Sequence, residues 1–403
     1  MIENNLIINN YIQKFHLNSH VAKNLNSQYK KKINQIKDKI KIPNQFFNLF
    51  NKDYNFSVDI SDLKKFNGYK SVALIGMGGS ILGAEAIYNF FKKNVKKDFY
   101  FLDDLDVSKI IEFKKKIRIN KTLFLVISKS GNTIETLSNL FYLDILKKNS
   151  KNIIIITEKK DNILYNISKK FNLFFVEHKN YIGGRYSVLS EVGLIPAYFM
   201  GLNIFNLRKN MLKYFSDNKI LKDGSIKLTN ILIQKKIPNI VFLNYSSKLE
   251  KFLYWAQQLI AESLGKKTDG FFPTISNVPK DHHSLLQLYL EGPKDKLFVI
   301  FSSEEESTKK LRVNKLLNKR SLLNNKNLNQ IKLAQKKALI ETFKKKKISF
   351  REFKIKKINE ETLGQLFSYF ILETILIGKL KNINPFDQPA VEQVKKITRR
   401  ILT

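Results

Sequence analysis

Cysteine is absent from this 403-residue chain. That absence excludes disulfides, thiol nucleophiles and Cys-ligated zinc or iron–sulfur centres, and it gives no sign of an oxidising compartment. Proline is scarce at 8 residues and glycine modest at 16, which excludes collagen-like and low-complexity chains. No apolar run reads as a membrane span: the longest, around Val192 to Leu207, is interrupted by Pro196 and Asn203. The opening MIENNLIINN has neither a basic leader nor an apolar run of signal-peptide length. A cytoplasmic protein with no membrane partner is the expectation.

Acidic residues are outnumbered, with 35 Asp and Glu against 71 Lys and Arg, for a net charge of +36. Such an excess suits a nucleic-acid binder. Yet lysine is dispersed along the chain among asparagine and isoleucine, and all three residues have A/T-rich codons. Genomic bias alone produces that mixture. The densest run, Lys344 to Lys347, is short and leads into a strand-like ISFREF. No zinc-finger or RNP-type aromatic motif accompanies it, so the charge reads as solvated surface and no nucleic-acid partner is expected.

What is present is ample apolar material, 43% of the chain including 31 Phe, enough for the two domains that the length suggests. Residues 1–50 read as a polar helical segment, with a helix near Val21–Ile40. In residues 51–205 the runs SVALIG (71–76), DFYFL (98–102), TLFLVIS (122–128), NIIIIT (152–157) and NLFFV (172–176) alternate with helical patterns. Short apolar runs of this kind mark buried parallel strands. A second, less regular series occupies 206–385 after a polar stretch near 206–235. Its strands are NIVFLNY, KLFVIFS and ISFREF, and its helices lie near 248–264, 284–290, 328–343 and 360–379. Residues 386–403 form a C-terminal amphipathic helix. The fold class is α/β: two doubly wound parallel-sheet domains with helical terminal segments.

Two loops after parallel strands carry chemistry. GMGGSILG (76–83) brings glycine backbone and a helix start close to a ligand, which favours an anion. The dinucleotide fingerprint fits it less well, because position 81 is Ile. SKSGNTIET (128–136) supplies the hydroxyls of Ser128, Ser130 and Thr133, the charge of Lys129 and a helix start, together a cradle for a phosphate. The same segment also reads as a capping box, Asn132 with Glu135.

Further along, GGRYS (183–187) could set the Arg185 guanidinium against developing oxyanion charge, or merely place it on a surface turn. In KFLYWAQQLIAESLG, Glu262 follows Phe252, Trp255 and Leu259 on one helical stripe, a position suited to a general base. His282 and His283 adjoin just before a helix, and no third ligand is spaced for a metal. Lys395 falls one turn after Val391 at the border of the last helix's apolar stripe, where a lysine usually extends to solvent.

GMGGS followed by ISKSGNTIET resembles the sugar isomerase domain. Taken in order, GMGGS, SKSGNT, GGRYS, AESLGK, His283-S-L-L-Q and FDQPAVEQVK resemble the glucose-6-phosphate isomerase family in its shorter bacterial form. The resemblance spans residues 76 to 395. It implies flavodoxin-like sheets and a sugar phosphate as substrate. Phosphate or substrate contacts are implied from Gly79, Ser80, Ser128, Lys129, Ser130, Thr133 and Gln388. Glu262 is implied as the base working through a cis-enediol(ate), with Arg185 stabilising the enediolate and His283 and Lys395 assisting ring opening. His283 rather than His282 has the family's spacing to Gln287. The resemblance further implies a homodimer in which His283 serves the neighbouring site, and no metal or other cofactor. Acceptance of mannose 6-phosphate and a non-catalytic regulatory role stay open as alternatives.

Overall fold

The computed structural model describes residues 5–217, 219–304, 309–314 and 321–403. The chain opens with β1 (Leu6–Tyr11) and α1 (Ser19–Ile40). A first unit then alternates β2 (Ser71–Ile75), α2 (Leu82–Phe91), β3 (Asp98–Leu102), α3 (Val107–Lys116), β4 (Thr122–Ile127), α4 (Ile134–Leu143), β5 (Ile153–Thr157), α5 (Ile163–Lys170) and β6 (Phe174–Glu177). Its sheet is wholly parallel in the order β3-β2-β4-β5-β6. Every residue of β4 and β5 is buried, as helices on both faces require of continuous Val, Leu and Ile runs. Winding reverses between β2 and β4, and the crevice at such a reversal is where α/β sheets bind ligands.

Helices α6 (Glu191–Phe199), α7 (Ile204–Arg208), α8 (Lys213–Ser216) and α9 (Lys219–Gln234) lead to the second unit. There follow β7 (Asn239–Asn244), α10 (Glu250–Leu264), β8 (Phe272–Asn277), α11 (Leu286–Glu291), β9 (Lys296–Ser303), α12 (Leu328–Lys345), β10 (Phe350–Ile355), α13 (Glu360–Leu380) and α14 (Ala390–Leu402). The sheet order is β1-β10-β9-β7-β8, parallel except at β1. The α10 helix packs on α2, joining the two units across their helical layers.

Several elements depart from the sequence reading. The N-terminal segment is not helical throughout, because β1 pairs antiparallel with β10 and buries Leu6 and Ile8. Its polar Asn9 and Asn10 break the apolar signal of so short a strand. Strand β8, which the apolar pattern does not mark, carries Pro273 and forms an edge, the place where a strand tolerates proline. The polar stretch near 206–235 contains α9, whose Leu221, Leu228, Ile231 and Leu232 face the core. By length and composition, α13 is apolar enough to cross a membrane, a longer stretch than Val192–Leu207. Nearly all of it is buried inside the protein, and helices apolar all round are core helices.

One buried ion pair ties β1 to this core. Arg351 of β10 donates to both carboxylate oxygens of Glu373 on α13, at 2.8 and 2.7 Å, and to Tyr369 Oη at 3.0 Å. Its Nε donates to Asn10 Oδ1 of β1 at 2.7 Å. Removing one partner strands a buried charge. Arg351→Met should cost about 3–5 kcal/mol in urea denaturation, and adding Glu373→Leu should recover much of the loss.

Candidate active site

The Gly-rich turn after β2 is a close packing joint. A Cβ on Gly79 would lie 2.2 Å from the Gly184 carbonyl carbon and 2.4 Å from the Arg185 nitrogen. Ser187 Oγ donates to the Gly184 carbonyl at 2.7 Å and to the Gly79 carbonyl at 3.4 Å, fastening the two turns. Gly78, at φ +53°, faces Gln258 of α10, and a Cβ there would come within 2.7 Å of the Gln258 amide nitrogen. Backbone thus approaches backbone and side chain as only glycine allows. Ser80 stands half-buried at the end of this turn.

The loop after the adjacent strand β4 is folded by its own hydroxyls. Ser128 Oγ and Thr133 Oγ1 are 2.8 Å apart, and Ser130 Oγ is 3.4 Å from the same Thr133 oxygen. Gly131 N donates to Ser128 Oγ at 3.2 Å, and Asn132 N to Ser130 Oγ at 3.3 Å. The expected capping box is not formed: Thr133 is the N-cap of α4 and no side chain caps that helix. Asn132 Oδ1 instead accepts from Ile163 N at the start of α5, at 3.0 Å. The first-turn N–H groups of α4 are therefore left open to an anion. Lys129 sends its ammonium to the Asn180 carbonyl at 2.8 Å. Burial, above all, lowers its pKa, opposed by Glu158, while the charges of Lys160 and Arg185 add to the lowering.

Arg185 is the centre of the arrangement, and its side chain is 2% exposed. Its Nε donates to Ser263 Oγ at 2.8 Å. Its Nη1 donates to Glu262 Oε2 at 3.2 Å and to Gln388 Oε1. Its Nη2 donates to the Pro385 carbonyl at 2.6 Å and the Asp387 carbonyl at 3.1 Å. Every N–H of the guanidinium is thus engaged. The backbone is held as well, because the single tryptophan, Trp255 of α10, donates to the Arg185 carbonyl at 3.2 Å. Tyr186 Oη bridges Ser263 Oγ and the Pro385 carbonyl, both at 2.7 Å.

Glu262 lies on the last turn of α10, with its side chain 31% exposed. Arg185 holds one carboxylate oxygen, and Gln258, one turn earlier, donates to the other at 3.0 Å. The Gln258 carbonyl oxygen is buried without a partner. The 384–388 segment is clamped over this pair by Arg185 and by Lys266, which lies 2.8 Å from Asp387. The bond from Lys266 and its charge hold the Asp387 carboxyl below the usual range. Phe386 packs against Phe46, Phe47 and Tyr186. A cavity of about 380 Å³ opens beside Glu262, Lys266, Asp387 and Gln388. A fixed carboxylate against a fixed guanidinium, packed on the Gly-rich turn, is equipped for proton transfer.

A family model for phosphoglucose isomerase matches residues 52–403. The chain belongs to the phosphoglucose isomerase family. The glucose-6-phosphate isomerase of Methanocaldococcus jannaschii is 32% identical over 385 residues, covering 91% of this chain and 94% of its own. That of Campylobacter jejuni is 32% identical over 352 residues, covering 83% of this chain and 85% of its own. Among solved structures, a hypothetical protein from Thermus thermophilus superposes with a TM-score of 0.83 at 25% identity, covering 99% of this chain and 100% of its own. A glucose-6-phosphate isomerase from Chlamydia trachomatis superposes at 0.79 with 16% identity, covering 99% and 88%, and so shares the fold.

Two residues expected in a phosphoglucose isomerase site are not drawn into this cluster. His283 is exposed on the turn after β8, and no contact among the described residues joins it to Arg185, Glu262 or Gln388. His282, bonded to Tyr245 Oη at 3.1 Å, has a pKa lowered by burial and then by the charge of His283. Lys395 is half exposed on α14 and pairs with Glu392 at 2.7 Å. Sequence reading missed Gln258, Ser263, Tyr186, Lys266 and Asp387. Gln258 precedes Glu262 by four residues on one helix, a spacing that could have flagged it. The joint at Gly79 is the sharpest test of this geometry. Gly79→Ala should force the Gly184–Arg185 turn away, so kcat falls at least about tenfold while circular dichroism stays native.

Proposed function

We propose the following division of labour in the isomerisation of glucose 6-phosphate and fructose 6-phosphate, the reaction of the family to which this chain belongs. Ser80, Ser128, Ser130 and Thr133, with the backbone at Gly79 and the charge of Lys129, hold the phosphate, and Gln388 holds the sugar. Glu262 takes the proton from C2 of the open-chain aldose and returns it to C1, passing through a cis-enediol(ate). Arg185 offsets the charge that grows on the enediolate oxygens. The observation that carries this reading is the Arg185–Glu262 pair at 3.2 Å beside the cavity. A guanidinium saturated by five protein acceptors cannot reorient, so its field is preorganised rather than recruited. Glu262→Gln keeps the shape and removes the base: turnover should fall about 10²–10⁴-fold with KM little changed. A coupled assay of fructose 6-phosphate with EDTA and no added cofactor measures it, and wild-type-like turnover would remove Glu262 from the mechanism.

We place His283 in the neighbouring subunit's site, within a cytoplasmic homodimer. What supports this is its exposure, together with the lack of any contact among the described residues to its own chain's Arg185, Glu262 or Gln388. Lys395 would act with it in ring opening once α14, exposed on every face, is drawn against the site. Mixing Glu262→Gln with His283→Asn protein tests the shared site. Each heterodimer then holds one site free of both lesions, and activity should recover to about a quarter of wild type. No recovery on confirmed subunit exchange would assign His283 to its own chain.

A further inference from the structure

Lys129 stands in the phosphate loop, yet its charge is turned away from the hydroxyls around it. Its ammonium donates to the Asn180 carbonyl at 2.8 Å and lies 3.7 Å from Glu158 Oε1. The Glu158 side chain is 7% exposed, and its other carboxylate oxygen pairs with Lys160. The backbone that carries this carboxylate is tied to the loop. Glu158 N donates to the Lys129 carbonyl at 3.2 Å, Thr157 Oγ1 donates to the same carbonyl at 3.3 Å, and Asn162 Nδ2 donates to the Glu158 carbonyl at 3.0 Å. The end of β5 is thereby bolted to the phosphate loop. Arg185 also acts on Lys129 by its charge, and a further titratable neighbour is His178, which is buried. Burial first, then the Lys129 charge, push its pKa to about 4, so it is neutral and adds no charge of its own.

We infer that Glu158 competes with the substrate's phosphate for Lys129 and so sets the affinity of the phosphate loop. The inference rests on the assignment of this loop to the phosphate. With the loop empty, the ammonium is neutralised by the buried carboxylate. When a phosphomonoester dianion enters, Lys129 leaves the Asn180 carbonyl and Glu158 for the stronger charge, and Glu158 is left to Lys160. Part of the attraction for phosphate is thus cancelled in advance. Glu158 is a positioning residue, and its effect falls on binding more than on the proton transfer. Inorganic phosphate should feel it as much as the sugar phosphate does, because the shared chemistry is the dianion.

The test is Glu158→Gln, which keeps the shape and removes the charge. KM for fructose 6-phosphate and Ki for inorganic phosphate should both fall, about 3- to 10-fold at low ionic strength, with kcat moving less than KM. Unchanged or raised constants would overturn the proposal. Lys129→Met separates this from the underlying assignment. If Lys129→Met alone leaves both constants untouched, the ammonium takes no part in binding and the competition fails; it is Thr133→Val leaving both constants untouched that would overturn the phosphate reading of the loop. If the gain from Glu158→Gln persists in the Lys129→Met background, the carboxylate acts by long-range repulsion and the competition is refuted. A crystal structure of the wild-type protein with inorganic phosphate gives an independent check should the variant fold poorly. Lys129 Nζ is expected within bonding distance of the phosphate, and finding it still on Asn180 and Glu158 would end the idea.

Discussion

One guanidinium organises this protein. Arg185 belongs to the first unit, but four of its five hydrogen bonds reach Ser263 and Glu262 of α10 and the backbone of the 384–388 segment, with Gln388 as the remaining acceptor. Burying an arginine is tolerable only when each N–H finds an acceptor, and the loss of any acceptor exposes the full cost of desolvation. That requirement links three distant stretches of chain. It also explains why their surroundings are so confined: Gly79 and Gly184 meet backbone to backbone, and the only tryptophan spends its N–H on the Arg185 carbonyl.

The same constraint shapes the chemistry. Glu262 is gripped on both oxygens, by Arg185 and by Gln258, so its carboxylate plane is set before substrate arrives. Gln258 in turn rests against Gly78, in the turn that ends at Ser80. The Gly-rich turn and Glu262 are therefore not independent modules. Displacement at the Gly-rich turn is felt through Gln258 at the carboxylate, over a path made of direct contacts. A cluster of this kind holds Arg185 and Glu262 in place by packing.

Electrostatics is local as well. The chain carries +36, but the structure cancels charge selectively where it matters. Glu158 sits beside Lys129 and Lys160, Asp387 beside Lys266, and Glu373 beside Arg351. The scattered surface lysines add a diffuse positive field that salt screens over about 8 Å. Of these pairs Arg351–Glu373, buried on both sides, is shielded from that screening, whereas Lys160 and Asp387 stand open to it.

All five strands of the first unit and three of the second were legible from the sequence, because a strand covered on both faces must be apolar at every position, and β4 and β5 are. The two loops after β2 and β4 stood out in the sequence by their glycine and hydroxyl residues, which serve turns and caps as well as anions. Composition could not reveal β1 or β8: an edge strand buries one face or less, and Asn9, Asn10 and Pro273 erase its signal. Nor could spacing show that Glu262 is shared between Arg185 and Gln258, that Lys129 is turned toward Glu158, or that Asn132 braces α5 rather than capping α4. Residue type and periodicity report which face of an element is buried. Which particular donor meets which acceptor depends on how separate elements come together, and that only the tertiary structure decides.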